Sequence, residues 1–276
     1  MHQTEFNWTT KDNIKIYAKE WFLNKPKAVI CIVHGLGEHC NRYNHVADFY
    51  NPEGYALLGY DRRGHGKSGG PRGGTPSYEA FLDEVDELLA QAEQRYPNVP
   101  KILWGHSMGG NITLNHVIKR QPNIKAVVVT GAWMKVVDEP SKILVGVGKF
   151  MNKLIGGFTQ GNGVDARNVS RDQAVVDKYI KDTLVHDKIS SITGLETYDA
   201  GLYLYNYTGT MPVPTLLMHG EQDKMIDVEG SRQFSKNVKK TTYKEWAGLY
   251  HEIHNEPEQK EVLQYALNWM EGLFSS

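Results

Sequence analysis

Cysteine is scarce: the 276 residues include only Cys31 and Cys40. They sit close together, on an apparent strand and the loop after it, which excludes a disulfide framework and predicts a reducing, cytoplasmic setting. One reads as a buried thiol and the other as an ordinary loop residue. Long apolar runs are also missing, so no bilayer-spanning segment is expected. The opening Met1-His2-Gln3-Thr4-Glu5 has no basic patch followed by an apolar stretch, so neither a signal peptide nor an amino-terminal anchor is expected. Charge of one sign is lacking too: 31 Lys+Arg stand against 32 Asp+Glu. Without a strong long-range field, nucleic acid is not an expected partner. Repeats, low-complexity tracts and linkers are absent, and a chain of this length can bury one core. A single domain over 1–276 is expected.

What is present is an alternation of short apolar runs with longer amphipathic ones, the pattern of a mostly parallel sheet flanked by helices, an α/β class. Ala28 to Val33, Tyr55 to Tyr60, Lys101 to Trp104 and Ala126 to Thr130 read as strands, and Thr215 to Met218 and Thr242 to Glu245 follow later. A helix is predicted over Tyr78 to Arg95, where Phe81, Leu82, Val85, Leu88, Leu89 and Ala92 recur at helical spacing, with Ser77 as its N-cap. Residues 134–212 interrupt the alternation and read as a helical insertion, a candidate lid. Its first helix would place Ile143, Leu144, Val147, Phe150, Met151, Leu154, Ile155 and Phe158 on one side, near Lys142, Lys149 and Lys153. Such a stripe ordinarily faces a core, and the sharper reading is an acyl pocket wall or transient membrane contact through the cap.

Gly105-His106-Ser107-Met108-Gly109 follows a predicted strand and precedes a predicted helix. That is the setting of a nucleophile elbow, in which glycines two positions either side of a strained serine remove colliding Cβ atoms. Ser107 is the candidate nucleophile, and its bland alternative is an N-terminal helix serine. His106 beside it is expected to be structural, since adjacent side chains diverge at so sharp a turn. A serine hydroxyl needs a histidine to take its proton, and that histidine needs a carboxylate on its other nitrogen. On this kind of sheet the acid and then the base follow the serine in the chain. Asp223, in His219-Gly220-Glu221-Gln222-Asp223, is the favoured acid; Asp227 competes but reads as a helix cap, and Glu221 is a third choice. His251 is the favoured base, with His254 lining the pocket or satisfying a neighbouring carboxylate, and the other histidines read as surface or packing residues. The oxyanion hole would use the backbone N–H of Met108 and one from the His34–His39 loop, for which Leu36 is chosen. These parts suffice for acyl transfer, so no metal or organic cofactor is implied.

With His34-Gly35-Leu36-Gly37-Glu38-His39, Asp61-Arg62-Arg63-Gly64-His65-Gly66-Lys67-Ser68, Gly105-His106-Ser107-Met108-Gly109-Gly110 and Tyr250-His251-Glu252-Ile253-His254-Asn255-Glu256, the chain resembles the monoacylglycerol lipase and lysophospholipase group of α/β-hydrolases. The resemblance covers nearly the whole chain and falters in the insertion. It implies an α/β-hydrolase fold, a triad of Ser107, Asp223 and His251, an oxyanion hole at Leu36 and Met108, and a mobile helical cap over an apolar acyl channel. It also implies that Glu38, Arg42 and His254 stand at the polar end of the pocket, where glycerol would leave; a buried salt bridge holding the oxyanion loop is the alternative. The expected activity is hydrolysis of a lipid ester, first of all a monoacylglycerol. Lysophospholipase, general carboxylesterase or serine aminopeptidase activity on the same fold are the alternatives among enzymes. A silent ligand-binding module is the alternative outside them.

Overall fold

The computed structural model describes residues 2–155 and 157–275. Met1 therefore lies outside the described residues, as do the side chains of Leu144, Met151, Leu154 and Ile155 in the expected stripe and of Lys142 and Lys153 beside it. Among the described residues ten strands run in chain order as β1 (His2–Thr9), β2 (Lys15–Phe22), β3 (Ala28–Val33), β4 (Tyr55–Tyr60), β5 (Lys101–His106), β6 (Ala126–Thr130), β7 (Thr159–Gly161), β8 (Lys188–Ser190), β9 (Gly209–Gly220) and β10 (Val238–Trp246). The helices are α1 (Asn44–Tyr50), α2 (Tyr78–Arg95), α3 (Met108–Arg120), α4 (Lys142–Ile155), α5 (Gln173–Lys181), α6 (Ser191–Asn206), α7 (Val228–Asn237) and α8 (Gln259–Gly272).

Eight strands form one sheet in the order β1-β2-β4-β3-β5-β6-β9-β10. From β4 to β10 every neighbour is parallel, while β1 and β2 join antiparallel at one edge. Strands β3, β4, β5 and β6 are buried along their whole length, as expected where helices cover both faces of a parallel sheet. One face packs a layer containing Phe81, Leu88, Ile112 and Val117 of α2 and α3, and the other packs Val46, Tyr50, Val262 and Leu267 of α1 and α8. Helix α2 has the predicted bounds, and the Ser77 side chain accepts the Ala80 N–H as its cap.

The β1/β2 hairpin had no counterpart among the expected strands. Strand β2 carries Lys19 and Glu20, both buried, which break the apolar signature of a core strand. Lys19 Nζ donates to Asn41 and Asn44, and Glu20 accepts from Thr4 and Arg95, so distant residues make the burial tolerable.

Between Met134 and Pro212 the chain forms α4, the β7/β8 ribbon, α5 and α6, and β9 already starts at Gly209. Helix α6 lies against α3, where Asn115 Nδ2 donates to the Ala200 carbonyl at 3.3 Å and Asn111 Nδ2 to the Thr197 carbonyl at 3.4 Å. Among the described residues no helix is long and apolar enough to cross a membrane.

The parallel strands end together at the elbow between β5 and α3, where crowding is severe. A Cβ on Gly109 would sit 2.0 Å from the Val33 carbonyl oxygen, a backbone atom of β3 that cannot turn away. Gly109→Ala should therefore destabilise the fold by about 3 kcal/mol or more. Gly272→Ala, where nothing lies within 4 Å of the added carbon, should change stability by less than about 1 kcal/mol. Urea unfolding of both variants checks the contrast.

Candidate active site

Ser107 occupies the turn from β5 into α3 with φ 55° and ψ −120°, outside the regions open to most side chains. Three backbone hydrogen bonds hold it there: Ser107 N–H to the Thr130 carbonyl at 2.9 Å, and the Asn111 and Trp133 N–H groups to its own carbonyl at 3.0 Å each. A Cβ on Gly105 would meet Thr113 Oγ1 at 2.5 Å, so both glycines of the motif have a steric cause.

Asp223 follows β9, and His251 lies on the loop after β10. His251 Nδ1 stands 2.6 Å from Asp223 Oδ2, and the Met225 and Ile226 N–H groups donate to Oδ1 at 2.9 and 3.0 Å. The same Oδ2 receives a second imidazole: His219 Nε2 lies 3.0 Å away. Asp227 instead caps α7, accepting the Glu229 N–H and pairing with Lys135, and Glu221 accepts the Gly248 N–H on the surface. Burial opposes ionisation of Asp223, but the His251 charge and the hydrogen bonds from His219 and His251 hold its carboxyl well below the usual range. For His251 burial likewise opposes the charged form, and the adjacent Asp223 carboxylate outweighs it, so the imidazole sits above its ordinary range.

Ser107 and His251 open into one cavity of about 390 Å³, whose wall includes Leu36, Trp133, Val136, Val164, Val169 and Met225. Residues of the 134–212 segment thus supply much of its apolar lining. Neither the Leu36 nor the Met108 backbone N–H meets a hydrogen-bond acceptor among the described residues. Leu36 lines the cavity along with Gly35, Glu38, His106 and Ser107, and Met108 follows Ser107 in the chain.

The loop bearing Leu36 is held from several sides. The Gly35 N–H donates to Glu38 Oε1 at 2.6 Å, and the Gly35 carbonyl accepts from Arg62 at 2.6 Å and His34 at 2.8 Å. Arg42 sits between two buried carboxylates, 2.7 Å from Glu38 Oε2 and 2.7 and 2.6 Å from the two oxygens of Glu252. Glu38 and Glu252 line the cavity, whereas Arg42 lies behind them. Burial would raise the Glu252 pKa, but Arg42 pulls it down to about 2.

His254 is set further back, its ring 5.2 Å from Tyr43 and 4.7 Å from His106, with neither nitrogen hydrogen-bonded among the described residues. His106 Nδ1 points at Thr130, 2.9 Å from Oγ1, and burial, reinforced by His251, lowers its pKa to about 3. His34 and His65 are also buried, and desolvation holds both well below the ordinary imidazole range.

Glu252, Tyr179 and His219 were not among the sequence candidates. Glu252 had one available signal, its place next to His251. Tyr179 of α5 lies under the Arg42 guanidinium at 4.7 Å, a contact that only the folded chain creates.

This sheet, elbow and cavity define the α/β-hydrolase class of carboxylic ester hydrolases that work through a serine nucleophile. Residues 24–258 match the family model described as serine aminopeptidase, S33, and the chain belongs to that family, within its monoacylglycerol lipase group. A monoacylglycerol lipase of Mycolicibacterium smegmatis is 35% identical over 248 residues, covering 89% of this chain and 88% of that protein. An abhydrolase domain-containing protein of Dictyostelium discoideum is 34% identical over 269 residues, which span 96% of this chain but only 28% of its length. The crystal structure of a Paleococcus ferrophilus monoacylglycerol lipase superposes with a TM-score of 0.83 at 29% identity, covering 99% of this chain and 100% of the other.

Removing Arg42 would strand two buried carboxylates. Arg42→Met should cost about 3–5 kcal/mol at pH 7 in urea unfolding. The deficit should shrink as pH falls from 7 toward 4, for two reasons. Between pH 7 and about 4.5 the stranded carboxylates of the variant take up protons and are relieved, and from about 4.5 downward the wild type loses stability as Glu252, depressed to about 2 by Arg42, gives up its advantage over the unfolded carboxyl.

Proposed function

We propose that this chain hydrolyses monoacylglycerols to a fatty acid and glycerol through an acyl-enzyme on Ser107. The observation that carries the reading is the Asp223–His251 pair at 2.6 Å, which opens into the cavity reached by the strained Ser107. Its apolar wall suits an acyl chain, and the carboxylates at its polar end suit the hydroxyls of an uncharged leaving group. The similarity to the M. smegmatis and P. ferrophilus monoacylglycerol lipases supports this choice of substrate.

His251 Nε2 removes the Ser107 proton as Oγ attacks the ester carbonyl, and Asp223 stabilises the resulting imidazolium. The Leu36 and Met108 N–H groups receive the oxyanion. As the tetrahedral adduct collapses, the bond to the alkoxy oxygen breaks and His251 delivers its proton to glycerol. Water then adds to the acyl-enzyme carbonyl, His251 taking its proton, and the fatty acid leaves as Ser107 is reprotonated. The family description leaves room for a second reading, an aminopeptidase. Its substrate would bring an ammonium group needing a carboxylate, and of those lining the cavity Glu38 and Glu252 are engaged by Arg42 and Asp165 by Arg167, which leaves Asp138. The likeness to monoacylglycerol lipases favours the neutral ester.

The test is hydrolysis of a monoacylglycerol series beside a matching lysophospholipid and an aminoacyl amide. Monoacylglycerols should be preferred. Ser107→Ala should abolish turnover, and Asp223→Asn should lower kcat by roughly 10⁴. Because His251 is held above its ordinary range and must be neutral to act, kcat/KM should climb as pH rises through a limb above about 6.5. Turnover unaffected by Ser107→Ala, or preference for the amide, would sink the reading. A folded protein that fluorophosphonate fails to label at Ser107 would instead favour a binding module.

Residues 134–212 act in this reading as a cap whose first helix touches lipid. Ile143 is 80% and Phe150 62% exposed, with Val147 beside them, while Lys149 is paired to Asp199. The protein should co-float with neutral phosphatidylcholine vesicles, and Phe150→Ser should reduce the floated fraction severalfold. Failure to float with neutral and anionic vesicles alike would remove the membrane role.

A further inference from the structure

Resting on the triad reading above, we infer that His219 is a positioning residue that fixes the Asp223 carboxylate and limits the basicity Asp223 confers on His251. His219 ends its approach at the carboxyl tip of β9, fully buried. Its Nε2 faces two groups that can only accept, Asp223 Oδ2 at 3.0 Å and the Ile226 carbonyl at 3.3 Å. Nε2 therefore carries the proton. Nδ1 lies 2.7 Å from Ser231 Oγ on α7 and, in the Nε2–H tautomer, accepts the hydroxyl proton.

Both partners matter to the triad. The Met225 and Ile226 N–H groups occupy Oδ1, and His219 shares Oδ2 with His251. With donors on both oxygens the carboxylate cannot rotate about its Cβ–Cγ bond without breaking one of them. Two N–H groups on one oxygen also divide its electron density, so each hydrogen bond weakens the other. Loss of the His219 donor leaves Oδ2 wholly to His251. The imidazolium is then better stabilised and the His251 pKa rises, while the loosened carboxylate orients the ring less well. A residue that only filled space would produce neither change.

The experiment is a pH profile of kcat and kcat/KM on a soluble ester for wild type, His219→Leu, His219→Gln, Ser231→Ala and Asp223→Asn, with urea unfolding of each. His219→Leu should move the acid limb of kcat/KM upward by about half a pH unit or more and lower plateau kcat about tenfold. KM should stay within about twofold, because His219 does not line the substrate cavity. His219→Gln, whose amide can donate to Asp223, should return the limb most of the way. Ser231→Ala weakens His219 as a donor and should shift the limb in the same direction by less. An unmoved limb in folded His219→Leu, or a Gln variant that behaves like Leu, overturns the inference. If His219→Leu does not fold, Ser231→Ala decides by the same sign. Full activity in Asp223→Asn would instead bring down the triad reading itself; collapse of that variant beside an unmoved His219→Leu limb would bring down only the role of His219.

Discussion

The architecture converges on a crowded piece of backbone. Between β5 and α3 the chain must reverse within a few atoms of the β3 carbonyls, and it does so only because Gly105 and Gly109 lack side chains and Ser107 accepts φ 55°. The strain is borne by the most buried part of the sheet, where β3, β5 and β6 are covered on both faces. Its hydrogen bonds to Thr130, Asn111 and Trp133 link β6 and α3 to the same residue. A loosely packed sheet could not hold a serine in this conformation, so the hydroxyl's placement depends on the quality of the core as much as on its neighbours.

Around that point the polar groups are arranged in two buried systems that share no hydrogen bond among the described residues, although the Glu252 and Glu38 charges act on His251. One joins Asp223, His251 and His219 at the ends of β9 and β10. The other joins Glu38, Arg42 and Glu252 and holds the Leu36 loop through the Gly35 N–H. Residues 134–212 are attached near both, and beside the first Val136 bridges to Ile226 and Lys135 pairs with Asp227. Asp182 reaches His39 at 2.9 Å, the His186 N–H donates to the Gly37 carbonyl at 2.9 Å, and Arg171 reaches Glu256 at 3.0 Å. Helix α4 is tied more lightly, with Lys149 to Asp199 as its described ion pair.

Much of this was readable in the sequence because it follows from local rules. The strands Ala28–Val33, Tyr55–Tyr60 and Ala126–Thr130 are uninterrupted apolar runs, and α2 has both its periodicity and its cap. The elbow is a spacing of glycines about a serine, and Asp227 declared itself a cap by its position before α7. What escaped depends on partners far away in the chain. Lys19 and Glu20 hide β2 because their hydrogen bonds come from other elements, and Glu252 gains its place only when Arg42, 210 residues earlier, folds against it. His219 stood two residues from Glu221, which was weighed as an acid, yet nothing local says that an imidazole there will reach the oxygen His251 uses.

The burial of the histidines also governs how the molecule behaves as a colloid. Of 11 histidines, seven, His34, His45, His65, His106, His116, His186 and His254, are held below the ordinary imidazole range, in each case chiefly by desolvation. Mild acidification therefore adds far less positive charge than a count of imidazoles suggests. Starting from a formal charge of −1, the protein gains positive charge slowly just below neutrality, where little mutual repulsion keeps its copies apart.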